Sequence, residues 1–204
     1  MMDLGASPAP TAATPYTNMD GGAPVLGGVQ VKWATAPRWG CASQTLAGAL
    51  NGTVCIQPIW LPKGLTIGHL MFQSGSTGFV DPTHWWFGLY DNNLNQLATT
   101  ADQTTAAWAA NTAKALAIHT TAAGTVSSFV TTYSGMHYIG ILCAFSAGGN
   151  VPNFTGPTGD LLGSGTVPIA GQETDSGQTT PPGFPHTLTG TGTRVGGVVL
   201  AAVG

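Results

Sequence analysis

The sequence predicts an all-β protein, a β-sandwich that is jelly-roll-like, with an extended N-terminal arm. Short apolar and β-branched runs follow one another between residues 28 and 155. Gly, Asn, Asp or Pro separates most of these runs at spacings of about 8 to 12 residues, which is typical of sandwiches and jelly rolls. The 30 Gly and 14 Pro supply turns, and the 43% of hydrophobic residues in 204 supply a core.

The predicted strands can be placed in chain order. They are GVQVKWA, TVCIQPIWLP, LTIGHLMFQSG, THWWFGLYD, NQLATTA, TTAAWAA, AKALAIH, SSFVTTYS and MHYIGILCAF, and GGVVLAAVG is predicted as a closing strand. A turn at Pro62-Lys63-Gly64 separates the second strand from the third, because Pro and Gly supply the backbone angles that turns need.

One segment could instead form a helix. In TTAAWAANTAKALAIH, residues 104–119, Ala and Lys favour a helix. However, Thr is frequent there and the apolar residues do not recur at a spacing of 3.6. We therefore predict strands in this segment as well.

The domain organisation follows from composition. Residues 1–27 are rich in Ala, Pro, Thr and Gly without periodicity, which predicts an extended docking arm that lies along a partner. An arm folded back on its own domain is the alternative, although such a segment buries little surface to offset its ordering entropy. Residues 28–204 form the predicted sandwich domain, and its C-terminal segment 156–204 is again rich in Gly, Pro and Thr.

The most informative run is HWWFGLY, residues 84–90. In a strand, alternate side chains point to opposite faces. One face therefore carries Trp85, Phe87 and Leu89, and the other carries His84, Trp86 and Tyr90.

Two explanations fit an aromatic second face. Either loops or neighbouring subunits cover it, or Trp86 and Tyr90 form an exposed platform for sugar rings. His84, Trp86 and Tyr90 are thus our candidate residues for an interface or a glycan contact, and aromatic packing is the more common case. The strand MHYIGILCAF shows the same two-sided pattern and is likewise expected to be covered on both faces, which carry Met136, Tyr138 and Leu142 on one side and Ile139, Ile141 and Phe145 on the other.

The charge content excludes several classes of protein. Charged residues make up 6% of the chain, with five Lys and Arg in total, so there is no basic patch for nucleic acid. No apolar run is long enough for a membrane helix, and the first residues lack the features of a secretory signal. A surface with so little charge favours packing against copies of the chain or a larger assembly. A monomer with an uncharged polar surface is the alternative.

Residues for catalysis or cofactor binding are few. The five His show neither H-x-H nor H-E-x-x-H spacing, there is no G-x-S-x-G, and no pair of carboxylates suits acid–base catalysis. We therefore predict no catalytic residues, no cofactor and no metal. Asp91, Asn93, Asn95 and Asp102 match part of a calcium loop, but Gln96 stands where Gly is required. A hairpin turn closed by Asx side chains is the preferred explanation.

The three cysteines show no C-x-x-C spacing. Cys143 lies in an apolar run and is predicted to be a core residue. Cys41 and Cys55 flank a possible hairpin and could face each other, but for a chain made in the cytosol we expect reduced thiols.

The segment from about residue 58 to 155 resembles domains of structural proteins in tailed bacteriophages, notably those that infect actinobacteria. The similarity rests on Leu61-Pro62-x-Gly64, Gly88-Leu89-Tyr90-Asp91, Leu97-Ala98-x3-Asp102 and Tyr138-Ile139-Gly140. These positions cover about half of the chain and are mostly turn and core residues. The resemblance implies an all-β, multimeric module attached to the virion, without enzymatic residues.

We therefore expect a non-enzymatic structural protein, made in the host cytoplasm and located on the exterior of the virion. It would be a homo-oligomer, most simply a trimer, that decorates the capsid or forms a head fibre, with the major capsid protein or tail proteins as its partners. The alternative is a tail-fibre or tail-tip module that recognises a host surface glycan.

Overall fold

The computed structural model describes residues 25–35, 41–44, 51–121, 124–157, 172–174, 185–188 and 200–204. Within these ranges every regular element is a β-strand and there is no helix, which confirms the all-β class. The same ranges accordingly contain no helix of the length and hydrophobicity that crossing a membrane requires. Residues 1–24, and with them nearly all of the predicted arm, lie outside the described residues.

The described part of the chain contains fifteen strands. They are β1 Val25–Leu26, β2 Val29–Gln30, β3 Trp33–Ala34, β4 Cys41–Gln44, β5 Thr53–Leu61, β6 Thr66–Ile67, β7 His69–Gln73, β8 Val80–Tyr90, β9 Gln96–Thr100, β10 Ala113–His119, β11 Phe129–Val130, β12 Gly135–Asn150, β13 Phe154–Pro157, β14 Gln172–Thr174 and β15 Ala201–Val203. The turn predicted at residues 62–64 separates β5 from β6, and Gly64 adopts a φ of 82° there, a conformation that glycine accepts at little cost.

Nine strands form one antiparallel sheet in the order β14-β5-β12-β8-β9-β10-β7-β15-β3. The long strands β5, β8 and β12 lie side by side, and β12 pairs with β8 from Tyr138↔Tyr90 to Ala144↔His84 before the register shifts. The sheet is nearly closed. Its two ends approach each other where the ring of Trp33 in β3 lies 5.9 Å from that of Trp60 in β5.

Both faces are buried along residues 85–90 of β8 and 137–144 of β12, in the alternation that the sequence predicts. Trp85, Phe87 and Leu89 belong to the main core. Trp86 and Tyr90 belong to a second cluster on the opposite face. The second cluster, here called the outer cluster, comprises Val54, Ile56, Trp86, Tyr90, Tyr138, Leu142, Ala144 and Leu188, with Leu94 packed against it.

The hairpin of β1 and β2 packs on the main sheet. Val25 and Leu26 pair with Gln30 and Val29, and Leu26 is buried in a small cluster with Met71 of β7 and Ala202 of β15. The folded part of the chain therefore includes Val25 and Leu26, which the sequence had placed in the arm.

The predicted strand TTAAWAA is wrong, because residues 101–112 form an irregular segment. Trp108 of this segment is buried in the main core beside Trp85, with ring centroids 4.9 Å apart. The Nε1–H of Trp85 donates to the carbonyl of Ala106 (2.9 Å), and that of Trp108 donates to the carbonyl of Thr112 (2.9 Å). Carbonyls of the irregular segment thus accept hydrogen bonds from two buried indoles. In a β-strand, the backbone carbonyls would instead pair with a neighbouring strand.

The possible hairpin between Cys41 and Cys55 is not formed. β4 pairs with β13, so Cys41 lies opposite Pro157. Cys55 lies in β5 opposite Glu173 of β14. The closing strand is confirmed at Ala201–Val203: β15 inserts between β7 and β3, and β3 is an end strand of the main sheet.

Candidate functional site

Trp86 and Tyr90 lie in the outer cluster, and each side chain is 1% exposed. The chain itself covers them, because Leu188 and Leu94 from the connecting segments pack over this face of the sheet. Neither ring presents a face to solvent, so the structure places neither where a sugar could stack on it.

The ring of Tyr90 lies directly over two glycines. Gly88 and Gly140 are paired across β8 and β12. A Cβ at Gly140 would lie 2.8 Å from Cε2 of Tyr90 and 3.0 Å from Cγ1 of Val54, and one at Gly88 would lie 2.6 Å from Oη of Tyr90. Glycine is therefore required at both positions to make room for the aromatic ring.

His84 lies in the partly exposed first half of the same strand. Its Nδ1 lies 2.6 Å from Oδ2 of Asp102, and the side chains are 30% and 19% exposed. Oδ1 of Asp102 accepts from the backbone N–H of Thr104 (2.9 Å) and of Trp85 (3.3 Å). Asp102 thus fixes the irregular segment beside β8. The pair orients His84, and among the described residues no hydroxyl or thiol hydrogen-bonds to its imidazole.

The turn after β8 has the Asx geometry that the sequence favoured over a calcium loop. Oδ1 of Asp91 accepts from the backbone N–H of Asn93 (2.8 Å) and of Asn95 (2.9 Å), and Oδ2 accepts from the amide of Asn95 (3.1 Å). Asp102, the twelfth position of the partial loop pattern, is paired with His84 instead. Over the described ranges, no group of three potential metal ligands occurs.

Two thiols lie in the main core. Cys55 and Cys143 are both buried. Burial raises the pKa of the Cys143 thiol, and the neighbouring Cys55 raises it further. The thiolate, which is the reactive form of cysteine, is therefore disfavoured. Cys143 is thus the core residue that the sequence predicted.

The sequence reasoning missed an exposed apolar patch at the seam of the nearly closed sheet. Trp60 is 49% exposed, and Met136, which the sequence placed on a covered face, is 42% exposed. They are paired across β5 and β12, and Trp33 lies beside Trp60 with an angle of 41° between the rings. We call these three residues the Trp60 patch. In β5, Trp60 points to the face opposite Ile59 and Leu61, which belong to the main core. This alternation was the signal in the sequence that Trp60 lies outside the main core.

Comparisons with protein-family models, with curated proteins and with solved structures gave no match. The candidate site is therefore defined by geometry and chemistry alone. It consists of a covered aromatic face and the Trp60 patch, in which Trp60 and Met136 are exposed and Trp33 is partly buried against the main core.

Proposed function

We propose that this chain is a non-enzymatic structural protein on the exterior of a tailed-phage virion, where it decorates the capsid or forms a head fibre. The observation that supports this most directly is the Trp60 patch. Trp60 and Met136 continue the apolar face of β5 and β12 beyond the part that Leu188 covers. An apolar surface of this kind, on a chain with 6% charged residues, suits burial against another protein.

The residues that carry the phage resemblance have structural roles. Gly88 and Gly140 accommodate the ring of Tyr90. Asp91 closes the Asx turn, and Asp102 holds the segment that follows β9. Such positions preserve a scaffold, which is what a structural module requires. This supports the proposal without testing the location on a virion.

The finer architecture belongs to the same proposal. We infer a jelly-roll-like sandwich that assembles as a homo-oligomer, most simply a trimer, with residues 1–24 as the arm that docks it on the particle. The two buried faces of β8 and β12 are compatible with a layered arrangement. The composition of the arm supports docking, because such a segment gains order most readily along a partner.

The proposed mechanism is mechanical. Copies of the chain bury uncharged surface against one another and against the major capsid protein, and each interface adds free energy that resists dissociation. A stable interface of this kind buries on the order of 1,600 Å² in total. Synthesis in the host cytoplasm and assembly onto the particle complete the proposed pathway.

Two measurements test this function. The purified chain should have a mass that is a multiple of its 20.7 kDa monomer, as determined by light scattering. Electron microscopy of particles from the phage that encodes it should show density for the domain on the capsid exterior. Particles that carry the domain at the tail tip, or none of it, would contradict capsid decoration.

A receptor-binding module on a tail fibre or tail tip is the second candidate function. One observation favours it: the half-exposed indole of Trp60, tilted against Trp33, offers an apolar face to a pyranose ring. This moves the proposed glycan contact away from Trp86 and Tyr90, which are buried. Binding of host cell-wall glycans that disappears in Trp60→Ala, while the oligomer persists, would favour this candidate over decoration.

A further inference from the structure

His137 is a fully buried histidine near the start of β12. Its side chain is 0% exposed, and it lies opposite Ile59 of β5. Nδ1 is 3.1 Å from the carbonyl oxygen of Gly135, so Nδ1 carries the proton and donates it to this acceptor. Nε2 is buried and has no hydrogen-bond partner among the described residues. The imidazole is therefore held in its neutral form with an unused lone pair.

Tyr133 covers this imidazole. The two rings are stacked with centroids 4.3 Å apart and 11° between their planes. The Oη–H of Tyr133 donates to the carbonyl of Met136 (2.9 Å), and Oη accepts from the backbone N–H of Asn92 (3.2 Å). Tyr133 thus connects the stack to the Asx turn after β8.

The segment that carries Tyr133 also holds the turn between β5 and β6. Oγ of Ser134 accepts from the N–H of Lys63 (2.9 Å). Thr131 accepts from the N–H of Gly64 through its carbonyl (2.9 Å) and from that of Leu65 through its hydroxyl (2.9 Å). Residues 131–134, here called the latch segment, therefore join two turns at one end of the sheet.

The charges around His137 do not favour its protonated form enough to offset burial. Burial lowers the pKa of His137, while the bond to Gly135 and the carboxylate of Asp91 act in the opposite direction. Tyr133 is the other titratable group against the imidazole. From β5, the residue opposite is the apolar Ile59, and Lys63 on the following turn is exposed.

We propose that His137 makes the latch segment acid-sensitive: uptake of one proton from solvent at Nε2 expels the imidazole from beneath Tyr133 and releases the two turns. A protonated ring would place a charge and a second N–H donor in a site that offers Nε2 no acceptor among the described residues, which is costly in a protein interior. The ring reaches water only when the Tyr133 stack opens. This inference is independent of the proposed function.

The direction with pH follows from the sign of the shift. Because folding lowers the pKa of His137, its contribution to stability is complete above the unfolded value of about 6.5 and is lost as the pH falls from there toward the folded value. Within that window, the equilibrium constant for opening of the latch segment rises by roughly tenfold for each unit by which the pH falls.

Hydrogen exchange on the whole chain tests the proposal, with the amides of Gly64, Leu65 and Asn92 as reporters. Between pH 7.5 and 5.5, after correction for intrinsic exchange, we expect their protection to fall by up to about tenfold in total, nearly all of it below pH 6.5. In His137→Phe, which keeps an aromatic ring for the stack and cannot titrate, protection should not change with pH. His69→Phe, at a part-exposed histidine of β7, should retain the wild-type dependence.

A second measurement keeps the proposal testable if His137→Phe does not fold. NMR titration of the imidazole C–H signals in the wild-type chain should show His137 titrating below 6.5. In Tyr133→Phe, which removes the Oη contacts, protection at Asn92 should already be reduced at pH 7.5. Titration of His137 at or above 6.5, equal protection at both pH values, or a pH effect that persists in His137→Phe would each overturn the proposal.

Discussion

Tyr90 and Gly140 are in direct contact across β8 and β12: a Cβ at Gly140 would lie 2.8 Å from Cε2 of Tyr90. The backbone approach that glycine permits is what allows the Tyr90 ring to lie flat against the sheet within the outer cluster. Gly88, the residue paired with Gly140, likewise leaves room for the Tyr90 ring because it has no Cβ. The aromatic face of β8 thus depends on two residues without side chains.

Gly140→Ala should destabilise the fold by roughly 1–3 kcal/mol, the usual cost of overpacking, because Tyr90 and Val54 are both buried and have little room to shift. Chemical denaturation would measure it. Gly68→Ala is the matched control, since its Cβ would meet nothing closer than 3.9 Å. The cost of Gly140→Ala should shrink in a Tyr90→Ala background, and additive effects would contradict a direct contact.

Trp86→Ala should lower the free energy of unfolding by about 3–5 kcal/mol, because a large aromatic leaves a cavity in the outer cluster. Thermal or denaturant unfolding measures the change. Unchanged melting together with loss of glycan binding would show that Trp86 is a ligand contact and not a packing residue.

Trp60→Ala should behave in the opposite way. Because Trp60 is half exposed, we expect a stability loss of about 1 kcal/mol or less. If the Trp60 patch is buried in the oligomer, the variant should shift toward the 20.7 kDa monomer in light scattering. Trp86→Ala is the control, because it also removes a tryptophan but one that lies outside the Trp60 patch. A wild-type chain that is a clean monomer at micromolar concentration would remove the basis for self-association in solution.

Deletion of residues 1–24 should leave the domain folded with unchanged melting, while the truncated chain no longer joins particles. The boundary is set at 24 and not at 27, because Leu26 is buried against Met71 and Ala202. Calorimetry and a particle co-sedimentation assay measure the two properties. Unfolding of the 25–204 chain would show that the preceding residues contribute to the core.

Cys55 and Cys143 should resist a thiol reagent at pH 8 in the native state, since both are buried and burial raises the pKa of Cys143. A Cys41→Ser background restricts the count to these two residues. Both thiols should react after denaturation. Rapid labelling of the native Cys41→Ser chain would indicate that the main core opens readily.

The sequence determined the features that depend on neighbours along the chain. Strand alternation separates Trp85 from Trp86 correctly, because successive side chains of any strand point to opposite faces. The turn at Gly64 and the Asx turn at Asp91 follow from the local chemistry of Pro, Gly and Asp. The sequence likewise predicted an all-β chain with β10 as a strand, although Ala and Lys there favour a helix.

Tertiary structure decided which chain segments meet. The sequence could not show that Leu188 joins Trp86 in the outer cluster, that β4 pairs with β13, or that β15 lies between β7 and β3, because such contacts join residues far apart in the chain. The same limit applies to Trp108, which lies in an irregular segment whose carbonyls accept from its indole and from that of Trp85. Trp60 and Trp86 look alike in sequence, and long-range packing leaves one exposed and buries the other.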